Sequence, residues 1–324
     1  MKKGLLKTMA VGAIALLGLT ACGSGDTKDN DAGGSEELTK VTVGVLSIAP
    51  SVAMEYGIQE GIFEKHGLDV ELQTGQGGAA MLPAVSTGQM QFAVGNPLSV
   101  LTAADKGMDM RIVTGYSNSK AEGDDINGVV VRKDANIKSW KDLEGKTTAV
   151  NAVKTQGDLT IMASAEKAGA DPAKLNFSEL GFQDMPAQLE RGNMDAIWMP
   201  EPVLSMALAN EDNELLGYPN QEAIPGMPTM VTFTSGKYAE ENAEVITKFK
   251  EAMGETLSQA QENDKDARAL LPDFVKMDAE LADTMNMEDW DATIPEDQIT
   301  KLGEFAVQYD FLNNEPDLNK ILIK

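Results

Sequence analysis

Residues 88–97 read GQMQFAVGNP and residues 192–202 read GNMDAIWMPEP, so the chain carries one short pattern twice. Each copy begins with Gly, has Met two positions later, runs through mostly apolar residues and reaches a turn that contains Pro. A short apolar run bounded by turn residues is typical of a buried strand. The two copies therefore predict two similar units, each of which ends with the same helix, strand and loop.

Strand patterns alternate with helix patterns on both sides of these copies, which indicates mainly parallel sheets. The chain has 324 residues, and a single core stops growing at about 250–300 residues, so two lobes are expected. Two more strand patterns, at 128–132 and 230–234, indicate where the chain leaves the first unit and returns to it. We predict an α/β fold of two lobes, each a mainly parallel sheet flanked by helices, joined by two hinge strands. The predicted boundaries are 40–127 with 230–324 for lobe 1, and 128–229 for lobe 2.

The N-terminus has the pattern of an export signal. Lysines at the start precede a short apolar run at 9–19, which is too short to span a bilayer. Leu19-Thr20-Ala21-Cys22 follows at once and resembles the bacterial lipoprotein signal, in which the chain is cut before Cys and the thiol is lipidated. We predict a signal peptide at 1–21, lipidation of Cys22, and a flexible polar tether over 22–39. The protein would then be anchored on the outer side of a membrane.

The formal net charge is −24 at pH 7. The negative electrostatic field of such a charge disfavours nucleic acid and anionic membrane surfaces as partners. It says little about a small ligand, because a small anion responds to local dipoles more than to net charge.

Little in the sequence supports catalysis. The only histidine, His66, lies at the end of a predicted helix, where a capping role is expected. Cys22 is the only cysteine, so a transition-metal site is not expected. No Ser lies in a nucleophile-elbow sequence. We therefore predict no enzymatic activity, no metal and no cofactor.

Small-residue turns are the most informative candidate site. In an open parallel sheet, a ligand lies beyond the carboxyl ends of the strands. Several turns expected at that edge open helices, whose free backbone N–H groups favour a carboxylate, sulfonate or similar polar group. The turns are 47–51, 76–80, 95–97, 155–158 and 199–202.

Several motifs spread over the body resemble those of one family. They are Ala49-Pro50, then EGIFEKHGL at 60–68, GQMQFA at 88–93, IKSWKDLEGK at 137–146, and GNMDA at 192–196 followed by Glu201-Pro202. In these motifs the chain resembles the solute-binding proteins of the nitrate, sulfonate, taurine and thiamine-precursor class of ABC importers, which have the type II periplasmic-binding-protein fold. The motifs identify the family far better than they identify the ligand.

The resemblance implies a monomeric clamp that closes on a small solute and docks on an ABC permease. Trp198 is read either as core or as a stacking surface, and Glu201 either as a ligand contact or as a surface salt bridge. The ligand positions that the resemblance implies are Ser47, Ala49, Pro50, Ser51, Gln76, Gly77, Gly78, Ala79, Asn96, the hinge residues Asn127 and Gly128, Thr155, Gln156, Gly157, Asp158, Trp198 and Glu201.

The chain departs from a strong anion binder in one respect. None of its four Arg residues lies in a predicted ligand turn, although a bidentate Arg is a common anion ligand. This shifts the expectation toward a neutral or zwitterionic, heteroaromatic solute. Two other functions stay open: a clamp that reports its ligand to a membrane kinase, and a pyrimidine-synthase-like enzyme of the same fold, although the cysteine-rich loop of that enzyme is missing.

Overall fold

The structure is a computed structural model that describes residues 37–324. The predicted signal peptide, Cys22 and all but the end of the predicted tether lie outside the described residues. Within 37–324, no helix is long and apolar enough to cross a membrane.

Strands and helices alternate over most of the described chain. The strands are β1 (Thr39–Leu46), β2 (Leu68–Gly75), β3 (Phe92–Gly95), β4 (Met110–Asn118), β5 (Asn127–Arg132), β6 (Thr147–Val150), β7 (Asn176–Glu179), β8 (Ala196–Pro200), β9 (Asn213–Gly217), β10 (Pro228–Ser235) and β11 (Asp289–Trp290). The helices are α1 (Val52–Gln59), α2 (Ile62–Lys65), α3 (Gly78–Ser86), α4 (Pro97–Asp105), α5 (Gln156–Lys167), α6 (Met185–Glu190), α7 (Val203–Leu208), α8 (Pro219–Ala223), α9 (Gly236–Glu241), α10 (Ala243–Glu262), α11 (Asp264–Ala269), α12 (Leu271–Val275), α13 (Ala279–Thr284), α14 (Glu296–Gln308) and α15 (Leu318–Ile321). Short 3-10 helices lie at Ala49–Ser51, Lys133–Ala135, Trp140–Leu143, Pro172–Lys174 and Phe182–Asp184.

The strands form two separate sheets, and the predicted two-lobed α/β fold is confirmed. The first sheet has the order β11-β4-β10-β3-β1-β2, and the second has the order β7-β6-β8-β5-β9. Both sheets are mixed, because β10 runs antiparallel to β3 and β4, and β5 runs antiparallel to β8 and β9. The remaining long strands of each sheet point the same way.

The repeated sequence pattern forms β3 in one sheet and β8 in the other, and the two strands have equivalent neighbours. β3 pairs parallel with β1 on one side and antiparallel with β10 on the other. β8 pairs parallel with β6 and antiparallel with β5. All residues of both strands are buried, which explains their apolar sequences.

The chain passes between the sheets in the segments 119–126 and 218–227, just before β5 and β10. The backbone N–H of Ser119 donates to the carbonyl of Met227 at 2.8 Å, which joins the two crossings. The buried Asp125 accepts hydrogen bonds from the backbone N–H groups of Lys120 (3.2 Å) and Ile126 (2.9 Å), and also from the Ser119 hydroxyl. These bonds fix the conformation of the first crossing between the sheets.

The long helix α10 covers the first sheet with an apolar stripe. Ile246, Phe249, Met253, Leu257 and Ala260 are spaced three or four residues apart and are all buried. The ring of Phe249 stacks on that of Phe92 in β3, with 3.8 Å between centroids. This contact ties the repeated strand to the largest core of the protein.

Candidate ligand-binding cleft

A cleft between the two sheets holds about 520 Å³ of space free of protein atoms, its mouth included. Residues from both sheets and from the first crossing line it. Eight of the predicted ligand positions are among them: Pro50, Gly78, Asn96, Asn127, Thr155, Gln156, Gly157 and Trp198. The copies of the repeated pattern meet here as well, since Gly95 and Asn96 line the cleft from one side and Trp198 and Pro200 from the other.

Glycine lets the backbone of α3 approach that of β3 at the cleft wall. A Cβ atom on Gly95 would lie 2.6 Å from the Cα of Gly78, which is closer than nonbonded carbon atoms can come. The next residue, Asn96, caps α4: its Oδ1 accepts hydrogen bonds from the backbone N–H (2.9 Å) and the hydroxyl (3.1 Å) of Ser99. The turns that precede α3 and α4 are thereby fixed along one wall.

A capping box positions the start of α5 on the opposite wall. The Asp158 carboxylate accepts hydrogen bonds from the backbone N–H groups of Thr155 (2.8 Å) and Lys154 (2.7 Å). Burial raises the pKa of Asp158 to about 6. Asp158 does not line the cleft, whereas Thr155, Gln156 and Gly157 beside it do. In this structure it positions lining residues, and its contact with ligand stays a prediction.

Trp198 is a core residue that also lines the cleft, and its stacking on a ligand stays a prediction. It belongs to the core of the second lobe, with only 7% of its surface exposed. A Cβ atom on Gly157 would lie 2.8 Å from the indole, so a glycine at that position is what lets α5 lie against the ring. The indole Nε1 is buried and has no hydrogen-bond partner among the described residues.

Glu201 is buried, and its carboxylate is hydrogen-bonded within its own lobe. Its carboxylate accepts hydrogen bonds from the backbone N–H (3.0 Å) and hydroxyl (2.7 Å) of Ser205, at the start of α7. Burial raises its pKa. Its backbone carbonyl accepts a hydrogen bond from the N–H of Ala49 at 3.2 Å, so this residue joins the two lobes through its main chain.

The other predicted ligand positions lie outside the lining of the cleft, and their contact with ligand stays a prediction. Ser47 and Gln76 border a neighbouring opening, which shares Phe182 with the cleft. Gly128 lies against Leu204 and Leu215 inside the second lobe, and Gly77 lies beside the Asn151 amide. The remaining members are Ala49, Ser51 and Ala79, of which the first two are fully buried.

The structure adds cleft residues that the sequence analysis does not identify. The polar members are Asn151, Thr229 and Glu288, and the larger apolar ones are Leu46, Ile126, Phe182 and Met230. Ile48 and Pro200 also line the cleft and belong to the predicted turns 47–51 and 199–202. Glu288 is the most unusual, because burial raises its pKa to about 8. Its Oε1 accepts a hydrogen bond from Asn127 Nδ2 at 3.0 Å.

The two lobes also touch outside the cleft, between α5 and the C-terminal part of the chain. The Glu166 carboxylate accepts hydrogen bonds from the Tyr309 hydroxyl (2.6 Å) and the Gln308 amide (2.8 Å). The Lys154 ammonium donates to the carbonyl of Asp310 at 3.1 Å and lies 4.6 Å from the centroid of the Phe311 ring. These contacts join the two lobes directly, as in a closed arrangement.

The described residues hold no group of three or more His, Cys, Asp or Glu side chains placed to bind a metal ion. Comparison with family models gives one match, described as NMT1/THI5 like, over residues 51–267. The chain belongs to the NMT1/THI5-like family. The match runs from the 3-10 helix before α1 into α11, so it includes both repeated strands and most of the cleft.

Solved structures match this NMT1/THI5-like protein over nearly its whole described length. The periplasmic aliphatic sulphonate-binding protein SsuA from Escherichia coli has a TM-score of 0.71 at 16% identity, and the match covers 87% of this chain and 96% of that one. The alkanesulfonate-binding protein SsuA from Xanthomonas axonopodis pv. citri, bound to MOPS, has a TM-score of 0.74 at 13% identity, with 89% and 99% covered.

The periplasmic nitrate-binding protein NrtA from Synechocystis PCC 6803 has a TM-score of 0.69 at 12% identity, with 88% of this chain and 86% of that one covered. No curated protein sequence matches the chain. The family and the fold expected from the resemblance are therefore confirmed, and at these identities the solved structures speak for the fold alone.

Proposed function

We propose that this protein is the extracytoplasmic solute-binding component of an ABC importer, held at the membrane by a lipid on Cys22. It captures a small polar or heteroaromatic solute, of the sulfonate, taurine, nitrate or thiamine-precursor type, and delivers it to the permease. The observation that carries the proposal is a cleft between two lobes, lined from both of them, in which buried polar atoms lack partners. Such atoms are costly to leave unpaired, and a ligand that pairs with them favours the closed form.

A ligand that binds the folded chain should raise its unfolding temperature. At a hundred times its dissociation constant, a solute stabilises by about 2.7 kcal/mol, which is a shift of several degrees for a protein of this size. We expect one member of a panel of alkanesulfonates, taurine, nitrate, bicarbonate, pyrimidines, thiamine precursors and riboflavin to give this shift in thermal unfolding.

The response should depend on the cleft. Gln156→Ala, which removes a cleft amide, should abolish the shift, whereas Gln59→Ala on the exposed face of α1 should retain it. A shift that survives Gln156→Ala and is lost with Gln59→Ala would place binding elsewhere on the molecule.

The lipid anchor gives a separate prediction. When the chain is produced in a bacterial host, we expect it in the membrane fraction with acyl chains attached. In Cys22→Ser the acceptor thiol is lost, so the chain should carry no lipid and should either leave the membrane fraction or keep its signal peptide. Intact mass measurement of the membrane-bound form should show acyl chains on Cys22. An unmodified Cys22 in a membrane-bound chain would contradict the proposed anchor while leaving solute binding unaffected.

A further inference from the structure

Three buried polar atoms in the cleft have no hydrogen-bond partner among the described residues. They are the indole Nε1 of Trp198, the amide Oε1 of Gln156 and the carboxyl Oε2 of Glu288. All three residues line the cleft, and none has more than 7% of its surface exposed. An isolated buried polar atom lowers the stability of a protein, so three of them around one cavity indicate that a bound molecule completes their hydrogen bonds.

The cleft offers no cationic side chain to pair with an anion. Among the described residues, Glu288 is the only ionisable one in its lining, which contains no Lys or Arg. Burial raises the pKa of Glu288, and charge repulsion from the buried Asp125 raises it further. The basic residues of neighbouring segments are engaged elsewhere: Lys120 with Asp289, and Lys154 with the carbonyl of Asp310.

The Ser117 and Thr229 hydroxyls lie close to Glu288, and their hydrogen bonding partly offsets the rise of its pKa. Thr229 Oγ1 donates to the carbonyl oxygen of Ser117 at 3.0 Å. Thr229 Oγ1 and Ser117 Oγ are also within hydrogen-bond distance of each other, at 2.9 Å, and either atom can be the donor. Asn127 Nδ2 donates a hydrogen bond to the Oε1 atom of Glu288. The second carboxyl oxygen, Oε2, has no partner of good hydrogen-bond geometry among the described residues.

We propose that Glu288 is a specificity-determining residue, which makes the cleft select a solute with a cationic or neutral N–H donor group and reject solutes whose polar group is an anion. This inference rests on the proposed function. Gln156 Oε1 is a second acceptor that needs a donor, and Trp198 Nε1 supplies one donor in return. Two acceptors, one donor and no basic side chain suit a nitrogen-bearing solute better than a sulfonate or nitrate.

One feature of the cleft favours an anion. The N-terminal ends of α3, α4 and α5 reach the lining, and helix N-termini favour negative charge. At α5 the Asp158 carboxylate already accepts from two backbone N–H groups. An anion would therefore rely on the N-terminal ends of α3 and α4, and it would offer no donor to the amide Oε1 of Gln156.

A series of probes with one shape and different charge tests the proposal. Benzamidinium, benzamide, benzoate and benzenesulfonate share a ring and differ in the polar group. At millimolar concentration the first two should raise the unfolding temperature of the purified protein, and the two anions should not. Glu288→Gln should weaken benzamidinium binding about tenfold to a hundredfold, as expected for a lost hydrogen bond to a charged group. Benzamide binding should change little.

Proton release separates a direct contact from a structural role. Because burial keeps Glu288 protonated in the empty cleft, benzamidinium binding at pH 7 should release about one proton in wild type and none in Glu288→Gln. Titration calorimetry in two buffers of different ionisation enthalpy measures this number. Glu304→Gln, on the exposed face of α14, should behave as wild type in every respect.

Three results would overturn the inference: anions that bind as tightly as benzamidinium, a Glu288→Gln variant that binds it normally, or no response to either donor probe. If a sulfonate or nitrate from the broader panel then stabilises the protein, solute binding stands and only the charge selection fails. If no compound in either series raises the unfolding temperature, the result counts against the proposed function as well.

Discussion

Replacing Glu288 by Gln should make the protein more stable than wild type at alkaline pH and leave its stability nearly unchanged near pH 5. Burial raises the pKa of Glu288 from 4.5 in a model compound to about 8. Between these values the folded state holds a proton that the unfolded state has lost, so the wild type loses stability as pH rises. Gln has no charge to bury, so the variant does not incur this loss.

The effect should be large because the pH window is wide. Each unit of pKa shift corresponds to about 1.4 kcal/mol, so the difference between variant and wild type should reach a few kcal/mol above pH 8. Urea unfolding at pH 5, 7 and 9 measures it, with Glu304→Gln as the exposed control. Parallel stability profiles for wild type and Glu288→Gln would mean that Glu288 ionises normally in the folded protein.

A carboxyl that lowers stability at neutral pH is informative about function. Perturbed groups of this kind concentrate at binding and catalytic sites, where a polar atom is kept ready for a partner. Glu288 lies in the cleft and bonds across the lobes to Asn127, so a solute that reaches it also reaches the junction between the lobes. The same residue can therefore link ligand charge to closure.

The parts of the fold that the sequence predicts are those with local patterns. The repeated stretches at 88–97 and 192–202 predict two equivalent strands, and β3 and β8 have equivalent neighbours. The turns at 95–97 and 155–158 predict helix starts, and Asn96 and Thr155 cap α4 and α5. These features depend on residues within a few positions of one another, which is why a single sequence carries them.

Glu288 could not be found in this way. The sequence pattern from 278 to 312 indicates mostly amphipathic helix, whereas the structure interrupts it with β11 at Asp289–Trp290. That strand exists because it pairs with Ser117 and Asn118 of β4, far away in the chain. Glu288 follows Met287 and precedes Asp289 and Trp290, and this local sequence does not say where its side chain lies.

The second large effect is expected at Gly115, in the middle of β4. A Cβ atom there would lie 2.1 Å from the carbonyl oxygen of Thr293 and 2.6 Å from that of Asp291. The N–H of Gly115 also donates to the carbonyl of Ala292 at 2.9 Å, so the segment after β11 lies directly on this glycine. Gly115→Ala should force the two backbones apart, at a cost of about 1–3 kcal/mol or more in the free energy of unfolding.

A matched control separates this clash from the general effect of replacing glycine. Gly254 lies in α10 with no atom within 4 Å of its Cβ position, so Gly254→Ala should stabilise the protein by about 0.5–1 kcal/mol through helix propensity. Urea unfolding should therefore move the two midpoints in opposite directions. Only the two residues of β11 separate Glu288 from the displaced segment. Gly115→Ala should therefore also weaken the binding of any solute that depends on Glu288, even under conditions where the variant is fully folded. A Gly115→Ala variant as stable as wild type, with unchanged binding, would mean that the segment can move away from β4 without disturbing the cleft.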